Sequence, residues 1–252
     1  MDVQLSEIKN MEFLFSLGNF EIWLLLFIAL LLRYFLIAGI PYIYLYVLKN
    51  PRFGGYKLQK QYPSIDQIFK EIKFSVLTLF IYSSGIWLFL IWLKTGLTKN
   101  YSEISEFGWG YFILSICLMI ILHDAYSYWI HRIIHHKRIF KYVHLLHHSF
   151  KNPSPFCAFA FHPFESILTM GIIPIIMFII PWHQYALLIF VTIMILYDTF
   201  VHLGFDIPLL RVGRWQNTSV EHDIHHKNSR YNFGLYFTIW DRLMGTFKSK
   251  LK

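Results

Sequence analysis

Charge is what this sequence has least of. Asp, Glu, Lys and Arg make up 15% of its 252 residues and the mean hydropathy is +0.44, whereas soluble domains carry about 25% charged residues. The shortage excludes an ordinary water-soluble domain. Cysteine is as scarce: Cys117 and Cys157 are too few and too far apart for a disulfide framework or a thiolate metal site. No HEXXH stretch occurs, which removes the ligand pair and glutamate base of a membrane metalloprotease. A glycine-rich nucleotide loop, internal repeats and low-complexity segments are also missing. The residues before the first apolar run are acidic, without the basic start and small-residue cleavage site of a secretory signal.

What is there is mostly apolar. Crossing a hydrocarbon core takes roughly 20 helical residues, and several runs qualify. The first, residues 22–48, contains Arg33 and a kinking Pro41; the second, residues 74–93, has no charge at all. A third begins near Phe107 and carries its helical pattern past His123 and Asp124 towards a histidine cluster. Residues 166–197 are apolar apart from "PWHQ" at 181–184 and read as a hairpin of two short helices. The fold class expected is all-α: an integral membrane helical bundle of five apolar segments with a cytoplasmic, His-rich helical cap. Residues 1–106 would form N-terminal membrane helices and loops, and residues 107–252 the catalytic domain.

Basic loops stay on the cytoplasmic side. The tail to Glu21 holds one Lys against four acids, the 48–74 connection six basic residues against two acids, and the 94–106 connection is balanced. Residues 131–165 and the tail after Leu203 hold five and eight basic residues. This alternation predicts an exterior N-terminus and a cytoplasmic C-terminus, with every dense histidine cluster cytoplasmic. The formal charge of +8 is spread over juxtamembrane loops, where anionic headgroups account for it; no nucleic-acid partner is expected.

The histidines fall into repeated spacings. His131 and His135 in "HRIIH" are four apart and share one helical face. "HLLHH" gives His144, His147 and His148, and "HDIHH" gives His222, His225 and His226 in the same spacing. Neighbours at i+3 and i+4 on a helix point about 100° apart, so each triplet can supply ligands to either of two adjacent metals. Imidazole suits Zn, Fe, Cu or Ni, which leaves the metal open. For His123, His136 and His183 the ordinary reading is an interfacial or hydrogen-bonded ring.

The stretches "YWIHRIIHH", "HLLHH", "FHPFE", "HDIHH" and "WDRLMGTF", in that order, resemble the fatty acid hydroxylase superfamily and, within it, the sterol desaturase branch. The resemblance covers residues 122–247, about half the chain, and its three histidine boxes are intact. It implies a membrane oxidoreductase with two Fe ions, using O2 to hydroxylate or desaturate a lipid, most plainly a sterol. The ligands it implies are His131, His135, His144, His147, His148, His222, His225 and His226. His202 is added because the family places a ligand between the second and third boxes; Asp198, four residues earlier, is a candidate acceptor for its free ring N–H. His162 in "HP" either ligates or ends a turn. Asp124 and Glu165 are further candidates for orienting the ligands, as are Glu221 and Asp223, although solvated carboxylates remain the simpler reading of these last three. Asp124 alternatively pairs with Arg132, and Asp241 and Arg242 tie the C-terminal segment together.

Without a cytochrome b5 "HPGG" signature in the chain, electrons must come from a partner such as cytochrome b5, or a ferredoxin with its reductase. Fatty acyl or alkylglycerol hydroxylation is the nearest alternative activity, and a zinc-stabilised, non-catalytic membrane protein the alternative of another class. A metal transporter would hold its ligands nearer mid-membrane, and a di-haem cytochrome would pair histidines inside its spans. The terminal "KSKLK" fits endoplasmic-reticulum retrieval in a eukaryote; in a bacterium the membrane is the inner one.

Overall fold

The computed structural model describes residues 18–249; most of the acidic tail and the last three residues of "KSKLK" lie outside them. The chain is helical almost throughout, and α1 (Asn19–Tyr42) is the first of its long apolar helices. Pro41 does not break α1. It has no N–H to donate, and the chain continues as a π-helical turn, Ile43–Val47, in which Leu48 N–H reaches back to Ile43 O at 2.9 Å. Next come α2 (Ile65–Lys94), which starts at a Ser64 cap, and α3 (Gly108–Ile134), which carries His131 in its last turn.

Among the described residues, four helices are long and apolar enough to cross a membrane: Asn19–Val47, Ile65–Leu93, Gly108–Ile134 and Gln184–Val201. With the shorter apolar stretch Pro163–Ile179 they make up the expected five apolar segments; what is corrected is the expected hairpin of two short helices. The first arm of that hairpin is broken into α6 (Pro163–Met170) and α7 (Ile172–Ile179), while its second arm, α8 (Gln184–Val201), is a full span; the short helices α4 (Phe140–Val143) and α5 (Leu145–His148) precede them. The break falls at Gly171, where a Cβ would lie 2.5 Å from the Tyr126 hydroxyl. Tyr126 donates to Leu168 O at 2.5 Å, so α3 occupies the space a side chain would need.

Large apolar side chains such as Leu32, Leu36 and Ile40 face outward, while polar ones turn in. Thr78 and Ser166 hydroxyls meet at 2.9 Å between α2 and α6, as expected where no water can satisfy them. One core cluster joins Phe112 and Met119 of α3 to Ile172 and Ile176 of α7 and Phe190 of α8. Another joins Tyr34 of α1 and Leu79 of α2 to Ile195 of α8 and the buried 3-10 turn Pro155–Phe159. That turn is pinned through Phe156 O, which accepts from both Tyr34 and Ser75 hydroxyls at 2.8 Å. A two-residue parallel pairing, Asn100–Tyr101 with Trp182–His183, ties the far ends of the bundle. The helical ends bearing the histidines are closed over by α9 (Ser219–Lys227) and α10 (Ile239–Leu243).

Candidate metal centre

Nine imidazoles from four segments meet at one end of the bundle. They form two groups whose ligand atoms lie within 4.8 Å of one another: His131, His135, His144, His148 and His225 in the first, His147, His202, His222 and His226 in the second. All nine residues singled out from the sequence are brought together. Helical phase distributes them. In α9 and in α5 with its preceding residue, the pairs four residues apart, His144 with His148 and His222 with His226, each go to one group, and the ring between them crosses to the other.

The rings are aimed through their Nδ1 atoms. His131 donates to Phe233 O at 2.9 Å, His202 to Asp198 O at 2.8 Å and His225 to Tyr231 O at 2.6 Å. A carbonyl only accepts, so these Nδ1 atoms carry the protons and the Nε2 atoms are bare lone pairs. His144 Nδ1 donates to Glu165 Oε1 at 2.6 Å, with both residues buried. Yet the Nε2 atoms crowd: His131 and His144 are 3.1 Å apart, His148 and His225 3.0 Å, His202 and His222 2.9 Å, His202 and His147 3.3 Å. His131 and His144, both with Nδ1 as donor, thus turn lone pairs on one another, which repel unless a cation lies among them. The donor set therefore fits two adjacent metal ions held by imidazole, with the opposite ring nitrogen oriented by the protein in His131, His144, His202 and His225.

Burial keeps most of these rings neutral. It pushes the imidazoles of His144, His147, His222, His225 and His226 well below their ordinary value, and the neighbouring rings add repulsion against any proton. His135 and His148 shift the same way for the same two reasons.

The carboxylates find definite partners. Asp198 serves His202 mainly through its backbone carbonyl, its Oδ1 standing 3.4 Å from the same Nδ1. Asp124 does not pair with Arg132; its Oδ1 accepts the Tyr236 and Phe237 N–H groups at 2.9 and 3.1 Å, and Arg132 turns to the Tyr128 hydroxyl. Asp241 accepts from Phe233 N, Gly234 N and Thr246 Oγ1, and Arg242 reaches Thr238 Oγ1 and Arg214 O, so the segment is tied as expected. Glu165, Glu221 and Asp223 are not free solvated groups: Glu165 holds His144, Glu221 forms a capping box with Thr218, and Asp223 accepts from Gln59 and Lys227.

Four histidines stand outside both groups. His162 caps α6, accepting from Phe164 N–H, and His136 is exposed. His183 bonds Ser102 O, and His123 Nδ1 meets the Tyr236 hydroxyl at 2.9 Å. Cys157 Sγ is 3.9 Å from His147 Nδ1, on the side away from the group's centre. Sequence reasoning passed over Glu71, whose carboxylate holds Ser154 and Gln67 beneath the site; a lone acid beside an apolar run was the available signal.

The site opens on a cavity of about 780 Å³ between the spans, lined almost wholly by apolar side chains and reaching His131, His144, His147, His202 and His222. Such a volume accommodates a lipid-sized molecule.

Comparison with known proteins places these features. The fatty acid hydroxylase family model matches residues 116–246. The chain is 34% identical to lathosterol oxidase of Rattus norvegicus over 85% of this chain and 70% of that protein. It is 28% identical to a Delta(7)-sterol 5(6)-desaturase of Gibberella zeae over 74% and 58%, and 37% identical to methylsterol monooxygenase 1 of Rattus norvegicus over 54% and 47%. No solved structure matches.

Proposed function

The chain belongs to the fatty acid hydroxylase family, and on that premise we propose that it is a membrane-bound, O2-dependent oxidoreductase that hydroxylates or desaturates a sterol or related lipid at a di-iron centre. The carrying observation is the convergence of nine Nε2 atoms, in two adjacent groups, at the closed end of an apolar cavity between spans. When bound, two irons would supply the oxidising power for an unactivated C–H bond. His131, His135, His144, His148 and His225 would hold one, and His147, His202, His222 and His226 the other.

The chain's own contribution is positional. Backbone carbonyls and Glu165 fix the ring tautomers, the buried neutral imidazoles add no charge, and the cavity wall excludes water while presenting a lipid sideways from the bilayer. With the histidine end cytoplasmic, the exposed Lys137, Arg138 and Lys141 would face an acidic electron donor such as cytochrome b5 or a ferredoxin.

The test is elemental analysis of detergent-purified protein made with iron supplementation, followed by mass spectrometry of sterols incubated with reductant and O2. Near two irons per chain, lost in His147→Ala and His225→Ala, together with an oxidised sterol product, is the expected result. Tightly held zinc with no oxygen consumption would overturn the reading, and oxidation of fatty acyl or alkylglycerol lipids alone would move the substrate.

A further inference from the structure

Arg33 lies at the midpoint of the first span, Asn19–Val47, where an ionised side chain is expensive and needs a partner. Among the described residues it has none: its Nε and Nη2 are buried without a hydrogen-bond acceptor, and it belongs to none of the four ion pairs. Its side chain lines the same cavity that reaches His147, His202 and His222. Several other polar groups on that wall have partners, although Glu165 Oε2 has none. Tyr82 meets Thr169 at 2.7 Å, Tyr126 donates to Leu168 O, and His123 pairs with Tyr236. The Trp182 Nε1 is also unpaired, but it is a neutral donor and far cheaper to leave so.

The position relative to the histidines is informative. Tyr34, the next residue, packs in one cluster with Ile195 of α8, and Ile195 precedes His202 by seven residues, about 10 Å of helical rise. Guanidinium and metal centre thus occupy two separate points of one slot. The unpaired atoms also form one edge of the guanidinium fork, where Nε–H and an Nη2–H run parallel. That edge matches a single oxygen taken by both donors or a two-oxygen anion taken side-on.

We propose that Arg33 binds the oxygen-bearing polar group of the lipid substrate, making it a specificity-determining residue, and that the substrate is an amphiphile whose hydroxyl or anionic group is read within the bilayer. The inference rests on the reading of the cavity as the lipid slot. The substrate's acceptor completes the Arg33 fork, and an otherwise similar lipid lacking that oxygen leaves the charge stranded. Discrimination comes from that difference.

The experiment is direct binding to purified protein in nanodiscs of four radiolabelled probes: a 3β-hydroxysterol, its 3-deoxy analogue, its 3-sulfate and a long-chain fatty acid. The parent is compared with Arg33→Met and Arg33→Lys. Expected is a preference of about tenfold or more for an oxygenated probe over the deoxysterol in the parent, lost in Arg33→Met and partly kept in Arg33→Lys. Strongest binding of the hydroxysterol identifies a neutral headgroup, and of the sulfate an anionic one. Ligand-free Arg33→Met should melt no lower than the parent, since an unpaired buried charge is removed. An unchanged preference in Arg33→Met would overturn the role of Arg33 while leaving sterol binding intact; a lower melting temperature would overturn it in favour of a structural role. Arg33-dependent binding of the fatty acid alone would instead support Arg33 and sink the sterol reading. No binding of any probe by the parent would remove both.

Discussion

At the residue scale the centre depends on what each imidazole does with its second nitrogen. Eight of the nine proposed ligands are legible as spacing, and His202 only through the family resemblance, because a lone histidine has no spacing. Glu165 could not be ranked from sequence: it is 21 residues from His144 along the chain, and only the fold of the intervening turn brings its Oε1 to 2.6 Å of Nδ1. Glu165→Gln keeps an acceptor but loses the charge, whereas Glu165→Ala loses both. Orienting partners of this type are worth about 10–100-fold in metal affinity. Retained metal after dialysis against a chelator should therefore fall in the order parent, Gln, Ala; equal retention in all three would remove Glu165 from the site. Metal removal should itself be destabilising, because it leaves the Nε2 lone pairs of His131 and His144 facing one another at 3.1 Å. Thermal unfolding of chelated protein should shift down, and added Fe²⁺ or Zn²⁺ should restore it.

At the element scale, hydropathy identified the long helices but made the second hairpin arm too short, since α8 is an 18-residue span. The uncharged run of α2 and the pattern of α3 continuing into the first histidine box are visible because length and period carry them. Residues 163–179 are as apolar as a span, yet they are two eight-residue helices. Composition cannot separate a span from a broken arm buried in protein; the break is set by a tertiary contact, the approach of Tyr126 to Gly171. Gly171→Ala would force the new methyl against that hydroxyl and should lower stability by about 1–3 kcal/mol. Tyr126→Phe should lose about 1 kcal/mol with its bond to Leu168 O. Because the alanine clashes with the atom that the phenylalanine removes, the double variant should be more stable than the two single losses predict. Additive melting shifts would show that the close approach does not set the break.

At the scale of the whole molecule, the C-terminal segment sets the metal centre as much as the spans do. In residues 231–247 the motif "WDRLMGTF" at 240–247 gave the expectation that Asp241 and Arg242 tie the segment together, but not that its carbonyls aim histidine rings. Asp241 accepts from Phe233 N at 2.9 Å and Gly234 N at 2.8 Å, and Asp124 of α3 accepts from Tyr236 and Phe237. The carbonyls of the segment so anchored are the ones that aim the rings: Phe233 O takes the His131 proton and Tyr231 O the His225 proton. Both of those histidines belong to the five-membered group, whereas His202, the anchor of the other, is oriented by its own helix through Asp198 O. Asp241→Ala leaves two backbone N–H groups without their acceptor, at about 1–3 kcal/mol each if they stay buried, and it loosens one group more than the other. Iron per chain should fall from near two to near one in Asp241→Ala, with the remaining iron removed by a further His222→Ala but not by His131→Ala. Loss of both irons together in the single variant would mean that the two groups are held as one unit, and that the segment acts on the centre as a whole.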